Sequence, residues 1–229
     1  MLLNGILTNL EVWHPITNIQ IEVLERVDLM LLRKTLKGHS KTPKEAFFLE
    51  TGLLPIKYVA IQRRLMYLHT ILSRPESELI RKVYQVQKSL HTKCDWYEKV
   101  TEERNKMGLG LNDEQISVMS KEKYKMIISK CVRKYALECL SQTAMKNENS
   151  KYRRLLKSEL VREKYLTDNR FSKSECELLF SLRTRMIPGI RTNFSSQYGN
   201  DLLCELCSLH QDSQENLLSC VKLTKVVVT

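Results

Sequence analysis

Glycine and proline are scarce in this chain, with 7 and 5 among 229 residues. That scarcity argues against a turn-rich sheet sandwich and favours long helices. No apolar run reaches the roughly 18 residues that a bilayer-spanning helix needs. The opening Met1-Leu2-Leu3 lacks a positive n-region and a small-residue cleavage site, which excludes an ordinary secretory leader. Seven cysteines is an odd number, and without a secretion signal they do not read as a disulfide framework. The expected setting is therefore the nucleus or cytoplasm, with reduced thiols and no membrane partner.

What is abundant is positive charge. The formal net charge is +11, and the apolar fraction of 42% is enough to build a core. Residues 1–40 are balanced, with 4 Lys and Arg against 4 acids. Residues 151–200 carry 11 against 5, whereas residues 201–229 carry 2 against 4. The basic bias thus sits just before the C-terminal cysteines. Such a field suits RNA or DNA, because phosphate contacts supply most non-specific affinity. A basic surface with no partner is the alternative.

Helical periodicity organises most of the chain. Thr17 or Asn18 caps an expected helix over 19–37, with Leu24, Val27 and Leu31 on one face and Gly38 as its stop. A short helix is expected near 43–50. Pro55 opens another over 55–73, whose core stripe is Tyr58, Ile61, Leu65, Leu68 and Leu72. Arg63 and Arg64 fall outside that stripe and read as a solvated face or as phosphate contacts. Two shorter charged helices are expected within 76–105, with Trp96 as a packing anchor.

The run Met107-Gly108-Leu109-Gly110-Leu111-Asn112 reads as a joint and lacks the pattern of a phosphate-binding loop. The longest helix is expected over 117–145, with Tyr124, Ile128, Cys131, Tyr135 and Cys139 inward. A basic helix is expected at about 151–166. Ser172 and Glu175 form a capping box for one at 173–187, with Leu179, Leu182 and Met186 inward. The loop after Pro188-Gly189 interleaves Arg191, Phe194 and Tyr198, a pattern that fits strand binding or pinning to the core. The expected fold is mostly α, an irregular helical bundle with a small C-terminal zinc-knuckle-like module. Its expected regions are 1–106, 107–187 and 188–229.

Cys204 and Cys207 are separated by two residues, a spacing that can point both sulfurs at one tetrahedral ion. Cys220 lies thirteen residues further on, and Leu217-Leu218 suits a short helix carrying it back. A zinc site needs a fourth ligand. His210 is the only histidine in this stretch, and a His-x3-Cys arrangement would need one where Asn216 stands. A zinc site, a degenerate former zinc site and metal-free thiols, including a redox pair, all remain open. The acids Asp201 and Glu205 oppose the thiolate that a redox pair requires.

The order of several segments resembles the C-terminal, post-polymerase region of a non-LTR retrotransposon reverse transcriptase. They are Leu182-Arg183-Thr184-Arg185-Met186, Asn193-Phe194, Tyr198 to Leu203, and Cys204-x2-Cys207 leading to Cys220. Leu49 to Ile56 with Arg63 to Leu68, and Glu11-Val12-Trp13 with Leu24 to Asp28, resemble the helical connector before that tail. The resemblance implies a thumb-like connector over 1–106. It places Cys204, Cys207 and Cys220 at three of four ligand positions, and it gives His210 no such role. The family's Tyr-x-Asp-Asp carboxylates are absent from this sequence, so the expectation is a non-enzymatic remnant that positions RNA or DNA. Its candidate nucleic-acid contacts are Arg153, Arg154, Arg183, Arg185 and Arg191, and its candidate metal residues are Cys204, Cys207, Cys220 and His210. The alternative is a helical scaffold or protein-interaction module without nucleic acid.

Overall fold

Capping boxes fix where three helices begin. Thr17 with Gln20, Asn112 with Gln115, and Ser172 with Glu175 each exchange side-chain and backbone hydrogen bonds, satisfying donors that a helix start leaves bare. The structure, a computed structural model, describes residues 7–13, 15–90, 95–146, 155–187, 203–204, 207–217 and 220. The helices are α1 Asn18–Leu36, α2 Lys44–Thr51, α3 Ile56–Leu72, α4 Leu79–Leu90, α5 Trp96–Lys106, α6 Asp113–Val118, α7 Lys121–Lys146, α8 Lys173–Thr184 and α9 Gln214–Leu217. A 3₁₀ turn covers Lys164–Leu166. Among the described residues the only β pairing is an isolated antiparallel bridge between Leu203 and Gln211. The fold is mostly helical, as composition implied, and no helix there is long and apolar enough to cross a membrane.

Helix α3 is the axis of the bundle, with α1, α4, α5, α6 and α7 all packed against it. Its five expected core residues are all buried, but so are Ile56, Ala60, Ile71, His69 and Arg64. A helix surrounded on most sides cannot reserve a solvated face. This overturns the reading of Arg64 as an exposed cation: the side chain is 1% exposed and pairs with Glu103. Arg63 donates to the Leu7 carbonyl. One hydrophobic core draws on residues from Leu29 to Phe180, on both sides of the 107–112 joint. That joint is clamped, since Asp113 accepts from Tyr84 at 2.9 Å, Lys88 at 2.8 Å and Arg104 at 2.9 Å.

Burial alone would raise the Asp113 carboxyl, but Lys88, Tyr84 and Arg104 outweigh it and hold the group below its ordinary 3.8. A lowered carboxyl contributes stability above the unfolded value and loses it as pH falls through the folded one. Stability should therefore drop as pH falls below about 3.8, and Asp113→Asn should flatten that limb in acid melts followed by circular dichroism.

Other elements moved for local reasons. The expected 117–145 helix is two helices. Met119 is extended, its carbonyl lies 2.8 Å from His69 Nε2, and Ser120 Oγ caps Lys123. Along α7 the buried line is Tyr124, Ile128, Val132, Ala136, Leu140 and Ala144, so Cys131, Tyr135 and Cys139 lie half-buried on its flank. Along α1 the buried residues are Glu25, Asp28, Leu29, Leu32 and Leu36, with Leu24, Val27 and Leu31 half-buried beside them. Helix α1 stops through Lys37, which takes the left-handed conformation at φ 46°. Gly38 serves closeness instead, because a Cβ there would lie 2.4 Å from the Phe47 ring. Trp96 is the anchor expected of it: its Nε1 donates to the Glu11 carbonyl at 3.0 Å, and Tyr67 meets its ring edge-on.

The basic helix expected at 151–166 is the clearest correction. Among its described residues there is no α-helix, only an irregular strap ending in the 3₁₀ turn. Leu155, Leu160 and Tyr165 are buried at intervals of five, which no single helix face can present. The strap's backbone bonds elsewhere, with Glu163 N–H donating to the Glu50 carbonyl at 3.0 Å. Arg133 holds the Leu160 carbonyl at 2.8 Å and that of Gly52 at 3.1 Å.

Candidate metal centre

The tail builds its site from a tight turn. Ser208, at φ 54°, reverses the chain after Cys207. Cys204 N–H donates to the His210 carbonyl at 2.7 Å, and Ser208 N–H returns to the Cys204 carbonyl at 2.8 Å. These bonds pin Cys204 and Cys207 in register across the Leu203–Gln211 bridge. Helix α9, capped where Ser213 Oγ accepts from Asn216 N–H, leads on to Cys220.

The outcome is convergence. The sulfurs of Cys204, Cys207 and Cys220 all lie within 4.8 Å of one another. Cys204 and Cys220 are 3.9 Å apart, too far for a disulfide. A tetrahedral ion about 2.3 Å from each sulfur would set neighbouring sulfurs about 3.8 Å apart, so the spacing fits a zinc-sized centre. Cys220 is 1% exposed, whereas Cys204 and Cys207 are half-buried. The Leu209 N–H directed at its sulfur, opposed by burial, then the His210 N–H and the two neighbouring thiols, hold the Cys207 thiol below its ordinary value. The trio can therefore hold a thiophilic metal ion. Among the described residues no other group of three His, Cys, Asp or Glu converges in this way.

His210 enters the site through its backbone; its ring is exposed and is not among the converging ligand atoms. Asn216 stays four residues before Cys220, and its amide nitrogen donates to the Gln211 carbonyl at 3.2 Å, so it braces the turn. Asp201 and Glu205 lie outside the described residues.

The expected phosphate contacts are distributed differently. Arg153, Arg154 and Arg191 lie outside the described residues. Arg185 is the left-handed cap of α8, at φ 54°, and half-buried. Arg183 is turned to internal use: its Nε lies 2.8 and 3.0 Å from the two oxygens of fully buried Glu50, and Tyr165 donates to the same carboxylate at 2.7 Å. Sequence reasoning missed Glu50 entirely, because an isolated acid in a short apolar helix gives no sign of which distant cation it will meet. The tail joins the body where Gln214 Nε2 donates to the Leu182 carbonyl at 2.8 Å. No protein-family model, curated protein or solved structure matches this chain.

Proposed function

We propose that this chain is a non-catalytic nucleic-acid-binding unit, corresponding to the post-polymerase part of a non-LTR retrotransposon reverse transcriptase. In this reading Lys and Arg hold RNA or DNA phosphates, and a structural zinc on Cys204, Cys207 and Cys220 pins the tail beside them. The observation that carries it is the convergence of three thiols immediately after the most basic segment of the chain. The metal would supply a cross-link and no reaction. Arg153, Arg154, Arg185 and Arg191 would meet phosphate, with Arg183 as a positioning residue that holds α8 through Glu50. Zinc would complete its coordination with a fourth donor from outside the thiol trio.

The purified chain should contain about one zinc, by the single-site stoichiometry of such centres, and Cys207→Ser should lose it. Filter binding should show RNA and DNA retained at low salt and released steeply as salt rises, with weak sequence preference. No retention at low salt would overturn the nucleic-acid reading, and no metal in the parent would overturn the zinc.

One observation favours the scaffold reading. Leu79, Val83, Val86 and Leu90 form an exposed apolar line along α4, at spacings of four, three and four. A chain that binds no nucleic acid but elutes as a stable oligomer, dispersed by Val83→Glu, would select that alternative.

A further inference from the structure

The buried pair Arg64–Glu103 is incompletely satisfied. Arg64 Nη1 meets Glu103 Oε1, but Arg64 Nε and Nη2 and Glu103 Oε2 are buried with no partner. Their side chains are 2% and 5% exposed. Leaving charged donors and acceptors unpaired at such depth is costly, and native structures fill these places with water or an ion. Both residues line a cavity of about 100 Å³. At roughly 30 Å³ for each water in the liquid, that is room for about three waters, or for one tetrahedral oxyanion, and not for a nucleoside.

The cavity's charge favours the anion. Lys57, Lys99 and Lys106 line it with Arg64, against the single carboxylate of Glu103. Lys99 and Lys106 also share Glu102 at the surface, at 2.8 Å for Lys99. Asn18, the first residue of α1, stands at the cavity wall, and that helix carries no acid in its first turn. The positive end of a 19-residue helix is thus left without an acidic side chain of its own. Glu22, Glu25 and Glu45 line a neighbouring groove and not this cavity.

We propose that this cavity is a binding site for one phosphate group bearing a proton, either free hydrogen phosphate or the terminal monoester of a larger molecule. The phosphoryl oxygens would accept from Arg64 Nε and Nη2, and the P–OH would donate to Glu103 Oε2. That acceptor sets the selectivity. Sulfate and an internal phosphodiester carry no proton at neutral pH and would leave Glu103 facing an anion. The site does not depend on the metal centre or on strand binding by the tail.

Phosphate titrated into the full chain, followed by ³¹P line broadening at constant ionic strength, should saturate at about one site per chain and bind at least about tenfold tighter than sulfate. Arg64→Met, checked for folding by circular dichroism, should weaken phosphate at least tenfold. If that variant fails to fold, the exposed-rim change Lys57→Gln should still weaken binding severalfold. Glu103→Gln should narrow the gap between phosphate and sulfate. A 5′-phosphorylated oligonucleotide that competes better than its 5′-hydroxyl counterpart would identify a strand end as the source. Competition by neither would identify free phosphate. Absence of saturable binding, unchanged binding in Arg64→Met and Lys57→Gln, equal affinity for sulfate, or equal competition by the 5′-hydroxyl strand would each overturn the proposal. Failure of strand retention on filters leaves the phosphate result intact, so the two readings are separable.

Discussion

Glu50→Ala is expected to lower the stability of the chain by about 3–5 kcal/mol, the usual cost of removing one partner from a buried ion pair. Glu50 is fully buried, yet its carboxylate gathers Arg183 from α8 and Tyr165 from the strap, while its backbone carbonyl takes Glu163 N–H. Removing the carboxylate strands a guanidinium and a phenol in the gap. Arg183→Met should cost a similar amount for the converse reason, because it leaves Glu50 charged and dry. The double variant Glu50→Met with Arg183→Met should recover most of the loss, since an apolar pair avoids desolvating two charges. Urea unfolding of the four proteins measures this directly. Additive losses in the double variant would show that the two groups are not coupled.

Gly52→Ala should cost roughly 2–4 kcal/mol, from strain and overpacking together. Gly52 ends α2 at φ 65°, and a Cβ there would lie 2.4 Å from both the Val161 carbonyl carbon and the Arg162 nitrogen. Those are backbone atoms of the strap and cannot swing aside. Gly108 supplies the control. Its φ is 62°, but nothing lies within 4 Å of its Cβ position, so Gly108→Ala should cost only about 1 kcal/mol of backbone strain. The difference between the two isolates the strap's close approach. Equal losses would mean that positive φ alone explains Gly52.

Much of the helical frame was legible because apolar spacing and caps carry the same message. The α3 stripe, the Ser172–Glu175 box and the Trp96 anchor follow from side chains whose burial or local bonding is intrinsic to their type. Arg64 was not legible. A charged residue is assigned to solvent by default, and only the partner Glu103, thirty-nine residues away, makes its burial tolerable. The strap was misread because a run of good helix formers has no way to announce that its backbone bonds will go to α2 and Arg133. Tertiary partners outweighed propensity there. The three thiols were visible from spacing alone. What spacing could not show was that His210 would serve through its main chain and Asn216 through a brace to Gln211.

The sulfur cluster also bears on cooperativity. Cys220 is buried, yet it is not part of the hydrophobic core that runs from Leu29 to Phe180. The tail is held together by a sixteen-residue span between Cys204 and Cys220 and tied to the body through the Gln214 amide. Chain segments that share so little apolar contact open as separate units. Stripping a metal from the thiols would then release the tail while the helical bundle stays folded. A global melting temperature is therefore a poor gauge of occupancy at this centre, and hydrogen exchange at the Cys204 and Ser208 amides is the sensitive one.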